Sequence, residues 1–466
     1  MTNLTQLTAT ELRRRIGAKE ISPVELMVAC LAQIEQHNPT INAMCTLSET
    51  AMEEAREAEN AVMRGEPLGL LHGLPVGIKD VTDTAGLRTT YGSPLYADHV
   101  PEEDALVVMR LKAEGAIVIG KTNVPEFALG ANTYNAIFGA TRNPWHTALS
   151  AGGSTGGGAA ALATGMITLA EGSDLGGSLR IPASFCGVVG LRPSVGLVPT
   201  YPSADLWGTL NVTGPMARTA EDVALMLQAI AGPSPLSPLA QPFEGRDFVG
   251  AVTGRLPRGL NIAYCGDIAA IGVDNEIAQI CRQAVQGLTQ IEANITEIAL
   301  NLAFAWQAFL DLRGAHVLAT HYHHLDKLAQ LGPNVVSNIK SGLQVTPQAL
   351  GAAQQTRARL WTMFYELFQE FDYILTPCMA IPPFPVEQNY PETINGKPMK
   401  SYIDWIAPTF LLTLTGLPVA CVPCGLTAQG LPVGLQIVGP SQGEEMVLAL
   451  AQAIQKAYPI KLGIRN

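Results

Sequence analysis

Two glycine-serine loops carry the side chains of this sequence best suited to chemistry. They are Gly152-Gly153-Ser154-Thr155-Gly156-Gly157-Gly158 and Gly172-Ser173-Asp174-Leu175-Gly176-Gly177-Ser178-Leu179-Arg180. A phosphate cradle of backbone N–H groups is one use for such loops. Neither loop ends in the Gly-Lys-Ser/Thr of a P-loop, and neither has Gly-x-Gly-x-x-Gly with a following acid, so phosphate binding is the weaker reading. Acyl transfer is the stronger one. Ser178 follows two glycines that leave its hydroxyl unshielded, and the N–H groups of Leu175, Gly176, Gly177 and Ser178 can converge on one point. Such donors form an oxyanion hole, each member worth about 2.7–4 kcal/mol. The eight histidines offer no base by spacing. Lys79 is the alternative, because it ends the apolar run Gly73-Leu74-Pro75-Val76-Gly77-Ile78. There, loss of solvation would lower its pKa from about 10.4 towards neutrality. An uncharged Lys79 can draw the Ser178 proton through Ser154.

The elements that must position these residues read as α/β. Residues 74–78, 116–119 and 166–170 are predicted strands, and 104–114 and 157–165 predicted helices. Short buried strands separated by helices indicate a large mixed, mainly parallel β-sheet core covered by helices on both faces. Active sites in such sheets lie beyond the strands' carboxyl ends, where Lys79 and both loops fall. Before this core, residues 1–65 read as helices. Ser22-Pro23-Val24-Glu25 is a capping box with proline at the first helical position, and Leu26, Cys30 and Ile34 follow at four-residue spacing. Asn38-Pro39 is predicted to end that helix, and a second, 48–64, stops at Gly65. The Pro- and Gly-rich stretch 232–259 reads as a linker or a surface excursion. Beyond it come a strand at 260–264, helices near 275–288 and 302–328, and strands at 373–376, 419–422 and 435–438 that extend the same sheet. The chain is thus expected to form one domain, residues 1–466, with N-terminal helices at about 1–65, a core at about 70–230, a further region at about 233–370 and closing core elements at about 371–466.

Composition excludes several alternatives. Of 466 residues, 47% are apolar and 15% charged, which supports a large buried core rather than disorder. A formal charge of −11 argues against nucleic-acid binding and a cationic membrane-surface role. Eight cysteines are too sparse for a disulfide scaffold. The start shows no basic segment followed by an apolar one, and the most apolar stretches, 159–170 and 406–426, are broken by Gly or Pro. The expectation is a reduced, cytoplasmic protein without a membrane span.

The sequence closely resembles the amidase signature family, serine hydrolases with a Ser-Ser-Lys triad. The resemblance runs through Gly77-Ile78-Lys79-Asp80, Gly120-Lys121-Thr122-Asn123-Val124-Pro125-Glu126-Phe127, Phe138-Gly139 and Asn143-Pro144-Trp145. It continues through the glycine-serine loops and Pro182-Ala183-Ser184-Phe185-Cys186-Gly187-Val188-Val189-Gly190-Leu191-Arg192-Pro193, and ends at Gly434-Leu435-Gln436-Ile437-Val438-Gly439-Pro440. It implies amide hydrolysis through an acyl-enzyme, with Ser178 as nucleophile, Ser154 as relay on a cis Gly153–Ser154 bond, and Lys79 as base. Thr155 stands where the family often has a second serine and keeps a hydroxyl. Asp174 and Arg180 would pair to fix the loop, and Ala128 and Leu129 align with positions touching the acyl group. No metal or organic cofactor is implied. The expected partner is a small amide, with a homodimer common among relatives.

Other candidates carry less. His316, His321, His323 and His324 cluster on a predicted helix, but no Glu makes a His-Glu-x-x-His pattern. They read as a solvated or substrate-side helix; the resemblance implies that 233–370 is the family's variable, substrate-side region, where they and Trp306 or Tyr322 would shape selectivity. Cys421-Val422-Pro423-Cys424 lies on an apolar strand without a second cysteine pair and reads as buried thiols. Asp80, Glu126 and Asp372 read as scaffolding. The competing function is the glutamine-hydrolysing A subunit of a tRNA-dependent amidotransferase. That subunit normally carries Ser-Ser-Leu-Asp-Gln-Ile-Gly-Pro after the signature, whereas this chain has Ser203-Ala204-Asp205-Leu206-Trp207-Gly208-Thr209-Leu210-Asn211-Val212-Thr213-Gly214-Pro215. The departure favours a stand-alone enzyme.

Overall fold

The structure is a computed structural model that describes residues 3–461. Eleven strands form one mixed sheet: β1 (Met44–Leu47), β2 (Pro75–Lys79), β3 (Ile117–Thr122), β4 (Leu169–Asp174), β5 (Val189–Arg192), β6 (Val212–Ala217), β7 (Asn261–Tyr264), β8 (Asn294–Glu297), β9 (Tyr373–Pro377), β10 (Val419–Leu426) and β11 (Pro432–Val438). Their order is β1-β3-β2-β4-β6-β5-β10-β11-β9-β7-β8, so early and late parts of the chain share the sheet. The large mixed sheet agrees with the sequence reading. Its parallel ladders form two blocks, β3-β2-β4 and β9-β7-β8. Antiparallel ladders join everything between and add β1 at one edge. The parallel share is smaller than the buried strand pattern suggests. A strand covered on both faces is apolar throughout whichever way its neighbour runs, so direction left no mark on the pattern.

Helices flank the sheet: α1 (Ala9–Gly17), α2 (Pro23–Ile41), α3 (Ala51–Arg64), α4 (Leu106–Ala113), α5 (Gly156–Ala163), α6 (Arg180–Cys186), α7 (Ala220–Ile230), α8 (Phe248–Thr253), α9 (Asn275–Gly287), α10 (Trp306–Thr320), α11 (Pro333–Leu343), α12 (Pro347–Glu370), α13 (Ala407–Thr413) and α14 (Glu444–Ala457). The Ser22 capping box is present, with Glu25 N–H donating to Ser22 Oγ at 3.0 Å and Ser22 N–H to Glu25 Oε2 at 2.8 Å. Pro39 does not stop α2, which runs to Ile41 and ends on Asn42 in the left-handed region, φ 55°. In the final turn a proline forfeits only one helical hydrogen bond, so it is tolerated there. The short β1 was not visible in Met-Cys-Thr-Leu, which lacks alternation. The 232–259 stretch is a surface excursion that contains α8. Arg246 ties it to α14 through Glu444 (2.7 Å) and Glu445 (2.5 Å).

Two features of this packing set up the site. Strands β2 and β4 are parallel neighbours, with Val76 opposite Leu169 and Gly77 opposite Ala170, so their carboxyl ends lie on one edge. Helices α5 and α6 begin within the last residues of the two loops, at Gly156 and Arg180, and are buried throughout. Gly157 lets α5 approach the end of β3, because a Cβ there would lie 2.3 Å from Asn123 N.

Candidate active site

Lys79 closes β2 and is fully buried. Its Nζ lies 2.7 Å from Ser154 Oγ and 3.0 Å from Ser173 Oγ at the end of β4. Among the described residues it forms no ion pair. Glu171, the acid whose charge acts on it most strongly, is otherwise engaged. One of its oxygens accepts the Lys79 backbone N–H (3.1 Å) and the other the Thr82 hydroxyl (3.1 Å). Burial lowers the Lys79 pKa to about 7 against the opposing charges of Glu171 and Asp174. Burial likewise raises Glu171, which weakens any hold it has on the amine. A neutral amine has two N–H donors and one lone pair. One donor can serve Ser173 while the lone pair faces the Ser154 hydroxyl.

The Gly153–Ser154 peptide is cis. Ser154, Ser173 and Ser178 open on one cavity of about 330 Å³, as do Leu175 and Gly176. The N–H groups of Leu175, Gly176 and Ser178 make no hydrogen bond within the protein among the described residues. Gly177 departs from the expectation. Its N–H donates to Asp174 Oδ1 at 2.9 Å and belongs to the loop's support. Its φ of +124° requires glycine, and a Cβ would lie 2.3 Å from Thr409 Oγ1. Thr409 in turn donates to the Gly176 carbonyl at 2.6 Å.

Asp174 and Arg180 form the expected pair, fully buried, with Arg180 Nε and Nη2 donating to the two carboxylate oxygens at 3.0 and 2.9 Å. Arg192 Nη1 donates to the Asp174 backbone carbonyl and lies 3.4 Å from Oδ1. Burial alone would raise the Asp174 pKa, but the two guanidiniums hold it well below the usual carboxylate range. Arg180 also reaches Thr409 O (2.9 Å), Gln436 Oε1 (2.8 Å) and Thr413 Oγ1 (3.1 Å). The C-terminal Gly434-Leu435-Gln436 run therefore braces the Ser178 loop. Thr155 helps as well: its N–H donates to the Ser178 carbonyl at 3.3 Å and its hydroxyl to the Ser173 carbonyl at 3.5 Å.

Ala128 and Leu129 both line the cavity. Phe127 and Ala128 have positive φ, 49° and 59°, which is uncommon for side-chain-bearing residues. Bonds from Ala128 N–H to Pro125 O (2.8 Å) and from Leu129 N–H to Glu126 O (2.9 Å) hold that bend. Tyr91, Phe127 and His321 make an aromatic wall. Phe127 is stacked on Tyr91 at 6.2 Å and edge-on to His321 at 4.8 Å.

The histidines divide between two elements. His316 lies on α10, lines the cavity and has Nδ1 2.7 Å from Asp205 Oδ2. His321, His323 and His324 lie past the end of α10. Their predicted helix breaks there into the 3₁₀ segment Tyr322–Gln330. Burial keeps His321 neutral, its pKa lowered to about 3. Trp306 packs on Phe410 at 5.1 Å and Tyr322 is exposed, so neither lines the cavity. Cys421 and Cys424 are buried free thiols on β10. Asp80, Glu126 and Asp372 each accept scaffold hydrogen bonds, Glu126 from Ser93 (2.6 Å) and Gly332 (2.7 Å). The sequence reading missed Ser173, Tyr91, Phe127 and Arg313. Ser173 was accessible in principle, because a parallel β2-β4 pair with Gly77 opposite Ala170 brings the end of β4 close to Lys79.

The chain is similar to known proteins over nearly its whole length. The Amidase family model matches residues 25–448, and the chain belongs to that family. It is 34% identical over 462 residues to an acylamidase of Rhodococcus erythropolis, covering 98% of this chain and 96% of that protein. It is 35% identical over 486 residues to the A subunit of the glutamyl-tRNA(Gln) amidotransferase of Roseiflexus sp., covering 98% and 97%. Among solved structures, a bacterial aryl acylamidase of the amidase signature family superposes with a TM-score of 0.90 at 28% identity, covering 98% of this chain and 97% of the other. The protein is a hydrolase of amide carbon–nitrogen bonds. No helix among the described residues is long and apolar enough to cross a membrane.

Proposed function

We propose that the protein is a stand-alone carboxamide hydrolase in which Ser178 is the nucleophile, Ser154 the relay and Lys79 the base. One observation carries this reading: a buried lysine that forms no ion pair among the described residues lies 2.7 Å from Ser154 Oγ, and Ser154 shares its cavity with Ser178. Neutral Lys79 takes the Ser154 proton as Ser154 takes that of Ser178, and Ser178 Oγ attacks the amide carbonyl. The N–H groups of Leu175, Gly176 and Ser178 receive the oxyanion. The proton returns through Ser154 to the leaving amine, the C–N bond breaks, and the acyl-enzyme remains on Ser178. Water then enters by the same relay and releases the carboxylate.

A stand-alone enzyme is favoured over a glutamine-hydrolysing subunit by the cavity itself. Among the described residues no Asp or Glu lines it, so the α-ammonium of glutamine meets no carboxylate there. The aromatic wall instead suits an apolar or aryl acyl group. The purified chain, without any partner protein, is expected to release ammonia from aryl and aliphatic amides and to leave glutamine nearly untouched. Glutaminase activity appearing only with a copurifying partner would contradict this.

A further inference from the structure

Arg313 is a charged feature of the cavity that simple amide hydrolysis does not require. It comes from α10, lines the cavity and is only 6% exposed. Its Nη1 donates to Asn338 Oδ1 and its Nη2 to Tyr402 Oη at 2.5 Å. The guanidinium lies over the Tyr402 ring, 5.6 Å from its centroid. Asn338 Nδ2 also donates to Tyr402 Oη at 2.7 Å, so the two partners brace each other and fix the fork. Both are neutral. Among the described residues Arg313 has no ion pair, whereas the buried guanidiniums behind the Ser178 loop, Arg180 and Arg192, share Asp174.

A guanidinium has five N–H donors, and Asn338 and Tyr402 engage two of them. The rest suffice for a bidentate bond to one carboxylate. A buried cation with only neutral partners lacks the compensation that burial demands. Among the described residues no acid lining the cavity supplies it. The other nearby basic groups are poor competitors for an anion. Lys79 is held near neutrality, and His321 is uncharged. His316 already faces Asp205.

We propose that Arg313 receives a carboxylate of the substrate, so that the preferred substrates are anionic amides, such as monoamides of dicarboxylic acids. This rests on the amide-hydrolase reading above and names its substrate class. It also separates these compounds from α-amino-acid amides, whose ammonium would find no counter-charge in the cavity. Arg313 is here a specificity residue and takes no part in bond breaking.

The test uses three matched pairs: succinamate and succinamide, adipamate and adipamide, 4-carbamoylbenzoate and terephthalamide. Within each pair the members differ in one carboxylate against one carboxamide. In at least one pair wild-type kcat/KM is expected to be tenfold or more higher for the anion. Arg313→Met is expected to reduce that anion-over-neutral ratio at least tenfold, chiefly through KM, and Arg313→Lys to retain part of it. A wild-type preference for the neutral member in every pair would overturn the proposal, as would an equal loss on both members in Arg313→Met. Calorimetric titration of Ser178→Ala with adipamate and adipamide gives a readout independent of turnover and of how the Arg313 variants fold. Tighter binding of adipamate supports the anchor even if wild type hydrolyses none of the six, in which case only the hydrolase reading fails. Equal binding overturns it.

Discussion

Lys79→Ala is expected to lower kcat/KM for amide hydrolysis by at least about 10⁴-fold while the protein stays folded. A positioned general base contributes about 10²–10⁴-fold, and members of a coupled triad fall together when one is removed. The structure explains why no neighbour can replace it. Glu171 spends its oxygens on the Lys79 backbone N–H and on Thr82, and Ser173 offers no basic group. Lys121 is also buried, but its Nζ donates to the Thr82 carbonyl and to Thr84 Oγ1. The fold tolerates the change because a neutral amine in a dry site contributes two hydrogen bonds and no ion pair. Steady-state kinetics with circular dichroism on the same preparation checks both halves. A folded variant within tenfold of wild type would remove Lys79 from the mechanism.

Asp174→Ala is expected to destabilise the fold by about 3–5 kcal/mol, the usual cost of leaving a buried ion uncompensated. Two guanidiniums, Arg180 and Arg192, would then remain buried without a counter-charge. The Gly177 and Leu179 N–H groups would lose their acceptor as well. Asp174→Asn keeps the shape and one acceptor oxygen, so its loss should be smaller. The folded-state pKa of Asp174 lies below its unfolded value of about 3.9, so its contribution is complete at neutral pH and fades only as pH falls below that value. Denaturant unfolding of both variants at pH 7 measures this. A loss under about 1 kcal/mol in Asp174→Ala would mean that the loop does not depend on this pair. Activity should fall with stability, since the same carboxylate holds the Ser178 loop.

The sequence exposed the chemistry more fully than the geometry. Lys79 and the two loops stood out because apolar strand residues and glycines flank polar groups that could not be buried cheaply without a purpose. Helix ends were legible where a side chain makes the cap, as at Ser22. They were misread at Pro39, where position within the helix decides the effect. Strand direction was not legible, because burial on both faces erases alternation. The cavity walls were hidden for a different reason. Tyr91, Phe127, His321 and Arg313 come together from separate segments, and nothing in their spacing records the turn at Phe127–Ala128 or the end of α10 that brings them there. Gly177 shows the limit of counting donors in a motif. Its N–H is present in the loop yet already committed to Asp174.

The central claim is that an uncharged Lys79 activates Ser178 through Ser154. Its most direct measurement is the rate of Ser178 phosphonylation by a fluorophosphonate across pH 5–9, with the adduct located by peptide mass spectrometry. The label should fall on Ser178, at a rate that rises with pH through about 7 in wild type as Lys79 loses its proton, and it should nearly vanish in Lys79→Ala. A label on another residue would contradict the account. So would a Ser178 rate that is unchanged across this range or survives in Lys79→Ala.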